Sequence, residues 1–263
     1  MGIKSKIELR KDKQFKVGIV LSGGGARGFA HLGALQALHE RKIYPEIISG
    51  VSAGAIVGAF YANGMAPEDI FDLLKSKGVF NYSSLSLPLN GLLGLDGLME
   101  ELKSHIECKD VKELTKPAYF ATTNLNKGEV EYKKEGSLPQ IIAASSCIPI
   151  LFKPIEMDGH LYIDGGTYDN FPIKPIRPLC EKIIGINISP VHVTKELKGM
   201  FQIAARVFQL SVNATAQNSL ETCDILIEPK KLSTFSILDS SVADELYEIG
   251  YNEAKDVLSK TDL

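Results

Sequence analysis

The apolar positions of this chain follow two periods that alternate along it. Phe15 to Leu21 (FKVGIVL) is a mostly apolar run rich in β-branched residues and without polar alternation, the pattern of a strand buried on both faces of a parallel sheet. FAHLGALQALHERK follows, with Leu32, Leu35 and Leu38 at helical spacing and Arg41 and Lys42 at the end where the helix dipole favours cations. Ile47 and Ile48 form a second short strand, and a helix is predicted from about Ala53 to Asn63, closed by Gly64. Strand, helix and strand in this order make a βαβ unit. Its right-handed crossover brings the loops after both strands to the same edge of the sheet.

Further along, PEDIFDLLKSKG is a helix opened by Pro67 and ended by Gly78, and DGLMEELKSHI is a surface helix capped by Asp96. Between them, Val79 to Leu95 carries no charge and has turn residues breaking every apolar run, the pattern of a loop either packed against the body or serving as a lid or binding surface, with a lid over the serine favoured. Ala118 to Thr123 and Glu129 to Lys133 read as a hairpin, as do Ile155 to Met157 and Leu161 to Ile163 around Asp158-Gly159. LPQIIAASSCIPI is a helix stopped by Pro149. Lys182 to Ile188 and Ile225 to Ile227 are two more buried strands, and helices fill Met200 to Thr222 and Val242 to Leu258. The expected fold is α/β: three layers, α/β/α, around a central, mostly parallel sheet. With no repeat and no linker, one domain is expected over residues 15–263, after a basic tail over residues 1–14.

Composition narrows the partners. A net charge of −3 provides no cationic field for phosphates, so nucleic acid is excluded as a principal partner. Lys4, Lys6, Arg10, Lys11, Lys13 and Lys16 have no apolar segment behind them before the first strand, so the tail is not a secretory signal. It reads as solvated, with attraction to anionic lipid headgroups as the sharper alternative. Cys108, Cys147, Cys180 and Cys223 are widely spread, as free thiols of a reducing compartment are, and form neither a disulfide frame nor a zinc site. The expectation is a cytoplasmic protein, with peripheral contact at the membrane as the alternative. The uncharged run from Ile47 to Pro67 matches a membrane span in length, but Ser49, Ser52, Asn63 and its glycines make it a buried core helix instead.

Two glycine motifs stand at the predicted sheet edge. Gly50-Val51-Ser52-Ala53-Gly54 is G-x-S-x-G, which between a strand and a helix places a serine on a sharp turn with its hydroxyl exposed. Gly50 and Gly54 supply positions without Cβ for positive φ and for close approach. One crossover earlier, Gly23, Gly25 and Gly28 fit G-x-G-x-x-G, the dinucleotide fingerprint, with Glu46 as the acid 18 residues past Gly28. Glu46, however, precedes the second strand instead of following it. The same loop serves equally as an oxyanion hole, and its serine neighbour favours that use. A base must then take the Ser52 proton. His192 with Asp164 would give a Ser…Asp…His order, whereas Asp164, at a strand end before Gly165 and Gly166, is the better candidate for direct contact. His31 reads as packing, and His39 and His105 as surface residues.

GGGARG at Gly23 to Gly28, GVSAG at Gly50 to Gly54, ASSCIP at Ala144 to Pro149 and DGG at Asp164 to Gly166, in this order, resemble the patatin-like phospholipases of bacterial type. The resemblance runs from about Phe15 to about Pro190. It implies a Ser–Asp dyad without histidine: Ser52 as nucleophile, Asp164 as general base, Gly23, Gly24 and Gly25 as oxyanion donors, and Arg27 bracing or electrostatically supporting their loop. It also implies hydrolysis of phospholipids or related acyl esters without metal or cofactor. Two rivals remain: a nucleotide-binding protein using GGGARG, and a catalytically silent lipid-binding module on the same scaffold.

Overall fold

The computed structural model describes residues 13–80, 95–191, 193, 197 and 199–261. Its centre is β1 (Phe15–Leu21), which pairs in parallel with β2 (Ile47–Gly50) on one side and with β7 (Cys180–Ile186) on the other. The parallel part extends to β3 (Ala118–Asn124) beyond β2 and to β8 (Ile225–Ile227) beyond β7. Antiparallel partners gather at β3: β4 (Glu129–Lys133), and β6 (His160–Asp164) with its hairpin mate β5 (Ile155–Met157). The strand order is β5-β6-β3-β2-β1-β7-β8, with β4 on β3.

Neighbouring residues of the central strands enter different cores, which explains why their sequences do not alternate with polar residues. Ile19, Leu21, Ile48, Ile184 and Ile186 join the larger core. Val20, Ile47 and Ile183 join a smaller one, with Phe171, Ala216 and Leu220. Both sheet faces are therefore covered, as parallel sheets require. On the larger-core side lie α1 (Phe29–Glu40) and α2 (Ala53–Ala62), followed in sequence by α3 (Pro67–Ser76). The connection to β3 carries α4 (Asp96–His105), and α5 (Leu138–Ser145) follows β4. The smaller core is closed by α6 (Gly199–Leu220). The last helix, α7 (Ala243–Ser259), lies on α1, so α1 is buried nearly all round.

Several boundaries differ from expectation. Asp96 is the first residue of α4, not its cap; Leu95 stands at the cap position. The helix expected up to Pro149 ends at Ser145, because the following residues turn toward β2 and Ile150 takes φ 72°. β7 stops at Ile186, where Ile188 N leaves the ladder to donate to Ser22 Oγ at 2.9 Å. Of the expected lid, residues 81–94 lie outside the described residues, as do residues 1–12 of the basic tail and His192. The uncharged run is a core element: every residue of α2 is buried. Among the described residues no helix is long and apolar enough to cross a membrane.

Candidate active site

The turn between β2 and α2 stores strain at one residue. Ser52 has φ 54° and ψ −124°, a conformation that costs a non-glycine residue about 1–3 kcal/mol. The flanking glycines were expected to take positive φ, but that conformation falls on the serine, and the glycines serve close contact. A Cβ on Gly54 would stand 2.1 Å from Leu21 O, and one on Gly50 would stand 2.5 Å from Gly54 O. The elbow thus packs on the end of β1. It is clamped from the other side by α5: Ser52 N donates to Ser145 Oγ at 3.0 Å, and Ser146 Oγ donates to Ser52 O at 3.4 Å.

Asp164 enters the same cleft from the end of β6. Its Oδ1 accepts from Gly166 N at 2.8 Å, capping the short turn Gly165–Thr167, and its main chain is held by Cys147 O and Thr123 Oγ1. The carboxyl is fully buried and Oδ2 has no hydrogen-bond partner among the described residues. Burial pushes its pKa up from the usual carboxylate range to about 7; the Ser52 hydroxyl and the Gly166 amide pull it partly back. The hydroxyl therefore acts on the carboxylate across the cleft without forming a complete hydrogen bond to it.

The glycine loop forms a third wall. Gly25 takes φ 58°, and a Cβ there would stand 2.2 Å from Ile237 O. Carbonyls along the loop are occupied: Gly23 O accepts from Ser22 Oγ and Ser189 Oγ, and Gly24 O from Arg27 N. The amides of Gly23, Gly24 and Gly25 meet no acceptor among the described residues, which leaves them available to an anion. Arg27 does not line the cleft. Its buried guanidinium donates to the carbonyls of Pro190 (3.0 Å) and Phe235 (2.7 Å), with longer bonds to Ile188 and Ser233. Burial, and then Arg206, bring its pKa down to about 10, so at neutral pH it is a cation that fastens the loop.

The cleft is narrow, with a cavity volume of about 10 Å³, and it opens to solvent. Its remaining wall is mixed: Ile148, Ile237, and Phe208 and Val212 of α6 are apolar, and Asn170, Ser189 and Gln209 stand among them. The contribution of α6 was not foreseen in the sequence. Its outer side leaves Met200, Ile203, Val207 and Leu210 exposed. No described histidine lines the cleft. His31 is buried with Nε2 on Ser22 O at 2.8 Å, and burial lowers its pKa to about 4, which keeps it neutral. His39, expected at the surface, is half-buried on Tyr61 Oη at 3.0 Å; His105 is also half-buried, near Glu101. Among the described residues no group of three His, Cys, Asp or Glu side chains could hold a metal ion.

A parallel βαβ unit with a strained serine at its second turn places the chain among α/β proteins with a nucleophile elbow. The model of the patatin-like phospholipase family matches residues 19–177, a span holding both Ser52 and Asp164, and the chain belongs to that family. An uncharacterised NTE family protein of Mycobacterium tuberculosis is 31% identical over 178 residues, covering 67% of this chain and 49% of its own. Lysophospholipase NTE1 of Coccidioides immitis is 26% identical over 93% of this chain and 18% of its own. The human patatin-like phospholipase domain-containing protein 6 is 24% identical over 92% and 20%. The chain thus spans about half the length of the first relative and about a fifth of the others. Among solved structures, VipD from Legionella pneumophila shares the fold, with a TM-score of 0.56 at 18% identity, over 94% of this chain and 67% of that one.

Proposed function

We propose that this chain is a lipid acyl hydrolase cleaving carboxylic esters of phospholipids or related acyl esters through an acyl-enzyme on Ser52, with Asp164 as general base. The observation that carries this reading is the state of Asp164: a buried carboxyl, one oxygen tied to Gly166 N and the other unbonded, in the cleft that holds Ser52. A pKa near 7 suits a base working near neutrality, where such a group contributes roughly 10²- to 10⁴-fold. Ser52 Oγ attacks the ester carbonyl while its proton passes to Oδ2. The tetrahedral oxyanion is met by the glycine-loop amides, at roughly 10²- to 10³-fold per good donor, and by the positive end of α2. The intermediate collapses as Asp164 returns the proton to the departing alcohol. Water then attacks the acyl-enzyme, again giving its proton to Asp164, and the acid leaves with Ser52 restored.

The apolar part of the wall, from Ile148, Phe208, Val212 and Ile237, supports an acyl chain as the occupant of the cleft. On α6, exposed Met200, Ile203, Val207 and Leu210 recur at helical spacing, and we place contact with the lipid surface there. The nucleotide alternative lacks its acid: Glu46 Oε2 accepts from Lys16 N at 2.6 Å, at the opposite end of β1 from the glycine loop. Covalent labelling by a fluorophosphonate tests the hydrolase. The expected result is one label, lost in Ser52→Ala, with release of fatty acid from long-chain esters. Folded wild-type protein that neither labels nor hydrolyses would leave the silent lipid-binding module.

A further inference from the structure

We propose that the side chain of Asn170 is a further oxyanion donor, placed between the glycine loop and the turn that carries the base. This rests on the Ser52–Asp164 reading. Asn170 lines the cleft, is 1% exposed, and has an Nδ2 without a partner among the described residues. A buried amide left unpaired costs about 1–3 kcal/mol, so a fold retains one where a ligand completes it or pays a standing penalty.

The position of the carboxamide decides which ligand. A Cβ built on Gly23 would lie 2.4 Å from Asn170 Oδ1 and 3.1 Å from Ser52 Cβ. A Cβ built on Gly166 would lie 2.7 Å from the same Oδ1 and 3.0 Å from Asp164 Oδ1. The end of the side chain thus rests beside Gly23 and Gly166, in the cleft that Ser52 and Asp164 also line. Half a turn of the carboxamide exchanges Oδ1 for Nδ2 beside Gly23. The N–H then adds to the loop amides where negative charge develops on the attacked carbonyl oxygen.

The backbone around it is fixed, as such a donor needs. Asn170 N donates to Thr215 Oγ1 at 3.2 Å, and that hydroxyl reaches Gly166 O at 3.1 Å. On one side, Asp169 is held by the Tyr132 hydroxyl at 2.5 Å and by Phe171 N; on the other, Pro172 O accepts from Ser49 Oγ at 2.5 Å.

The test compares Asn170→Ala and Asn170→Asp with wild type in three readouts: steady-state hydrolysis of a medium-chain p-nitrophenyl ester, the rate constant of fluorophosphonate labelling, and Tm. The expected result is a kcat loss of about 10²-fold in Asn170→Ala with KM within about threefold, labelling slowed in parallel, and Tm unchanged or raised. Asn170→Asp keeps the size but sets a carboxyl beside Asp164 and the oxyanion, and loses more. Turnover and labelling within about threefold of wild type in either folded variant overturns the proposal, as does a fall in Tm with unchanged labelling. Should Asn170→Ala not fold, Asn170→Asp decides alone. Wild-type protein that never labels would instead remove the Ser52–Asp164 reading.

Discussion

Ser145 holds the nucleophile turn to the sheet: its hydroxyl accepts from Ser52 N at 3.0 Å and donates to Ala121 O of β3 at 2.7 Å. One side chain thus satisfies a buried amide in the strained turn and anchors it to a neighbouring strand. Ser145→Ala leaves both groups unmatched. The expected cost is about 1–3 kcal/mol of stability by urea unfolding. Fluorophosphonate labelling should slow well below the melting range, since the turn loses the contact that fixes Ser52. Unchanged labelling would show that the contacts of Gly50 and Gly54 hold the elbow alone.

As the proposed base, Asp164 would make opposite demands on pH for stability and for catalysis. Its folded pKa, about 7, lies above the unfolded value of 3.8 because burial favours the neutral acid. Its contribution to stability is therefore fully present below the unfolded value and is lost as pH rises through about 7. Asp164→Asn, which cannot ionise and can still accept from Gly166 N, should melt higher than wild type at pH 8 and close to it at pH 4. Turnover runs the other way. Wild-type kcat/KM should rise with pH through about 7 as the base ionises, and Asp164→Asn should be inactive throughout. A Tm difference that grows toward acid pH would reverse the assignment of the buried group.

Much of this arrangement was legible in the sequence, and for a physical reason. The β1–α1–β2 unit is local, and the signals that define it, an apolar run, a glycine loop and a second run without charge, are adjacent along the chain. Asp164 was legible because a hairpin strand ending in two glycines can turn a carboxylate inward. The remainder depends on contacts between distant segments. The resemblance leaves open whether Arg27 braces the glycine loop or supports it electrostatically, and its acceptors, 161 to 208 residues away, show only in the packing. The glycines of G-x-S-x-G announce freedom of φ, yet the positive φ belongs to Ser52, because Leu21 O stands where a Cβ of Gly54 would go. Asn170, within Asp169-Asn170-Phe171-Pro172, looks like turn chemistry, and only packing against Gly23 distinguishes it.

Arg27 should matter to stability first and to chemistry second. Arg27→Met removes the donors of four carbonyls in two segments, the buried ones of Ile188 and Pro190 and the partly buried ones of Ser233 and Phe235. A loss of about 3 kcal/mol or more is expected in urea unfolding, with Arg27→Lys recovering part of it because one ammonium cannot span both segments. If the guanidinium acts on the oxyanion directly, Arg27→Lys would instead keep full stability and lose kcat.

If the exposed face of α6 meets the lipid surface, as proposed, access to lipid can be separated from chemistry. Phe208 and Val212 face the cleft, while Val207 and Leu210 on the same helix stay exposed, so the outer residues can be changed without altering the wall of the site. Val207→Glu with Leu210→Glu places two carboxylates on that face, and burying them in a membrane interface is costly. The double variant should co-sediment less with vesicles of mixed phosphatidylcholine and phosphatidylglycerol and should release fatty acid from them more slowly. Hydrolysis of a short, soluble p-nitrophenyl ester should stay within about twofold of wild type, because that substrate reaches Ser52 without crossing an interface. Equal losses on both substrates would mean that the face supports the cleft structurally. Unchanged vesicle binding would place the lipid contact on another part of the molecule.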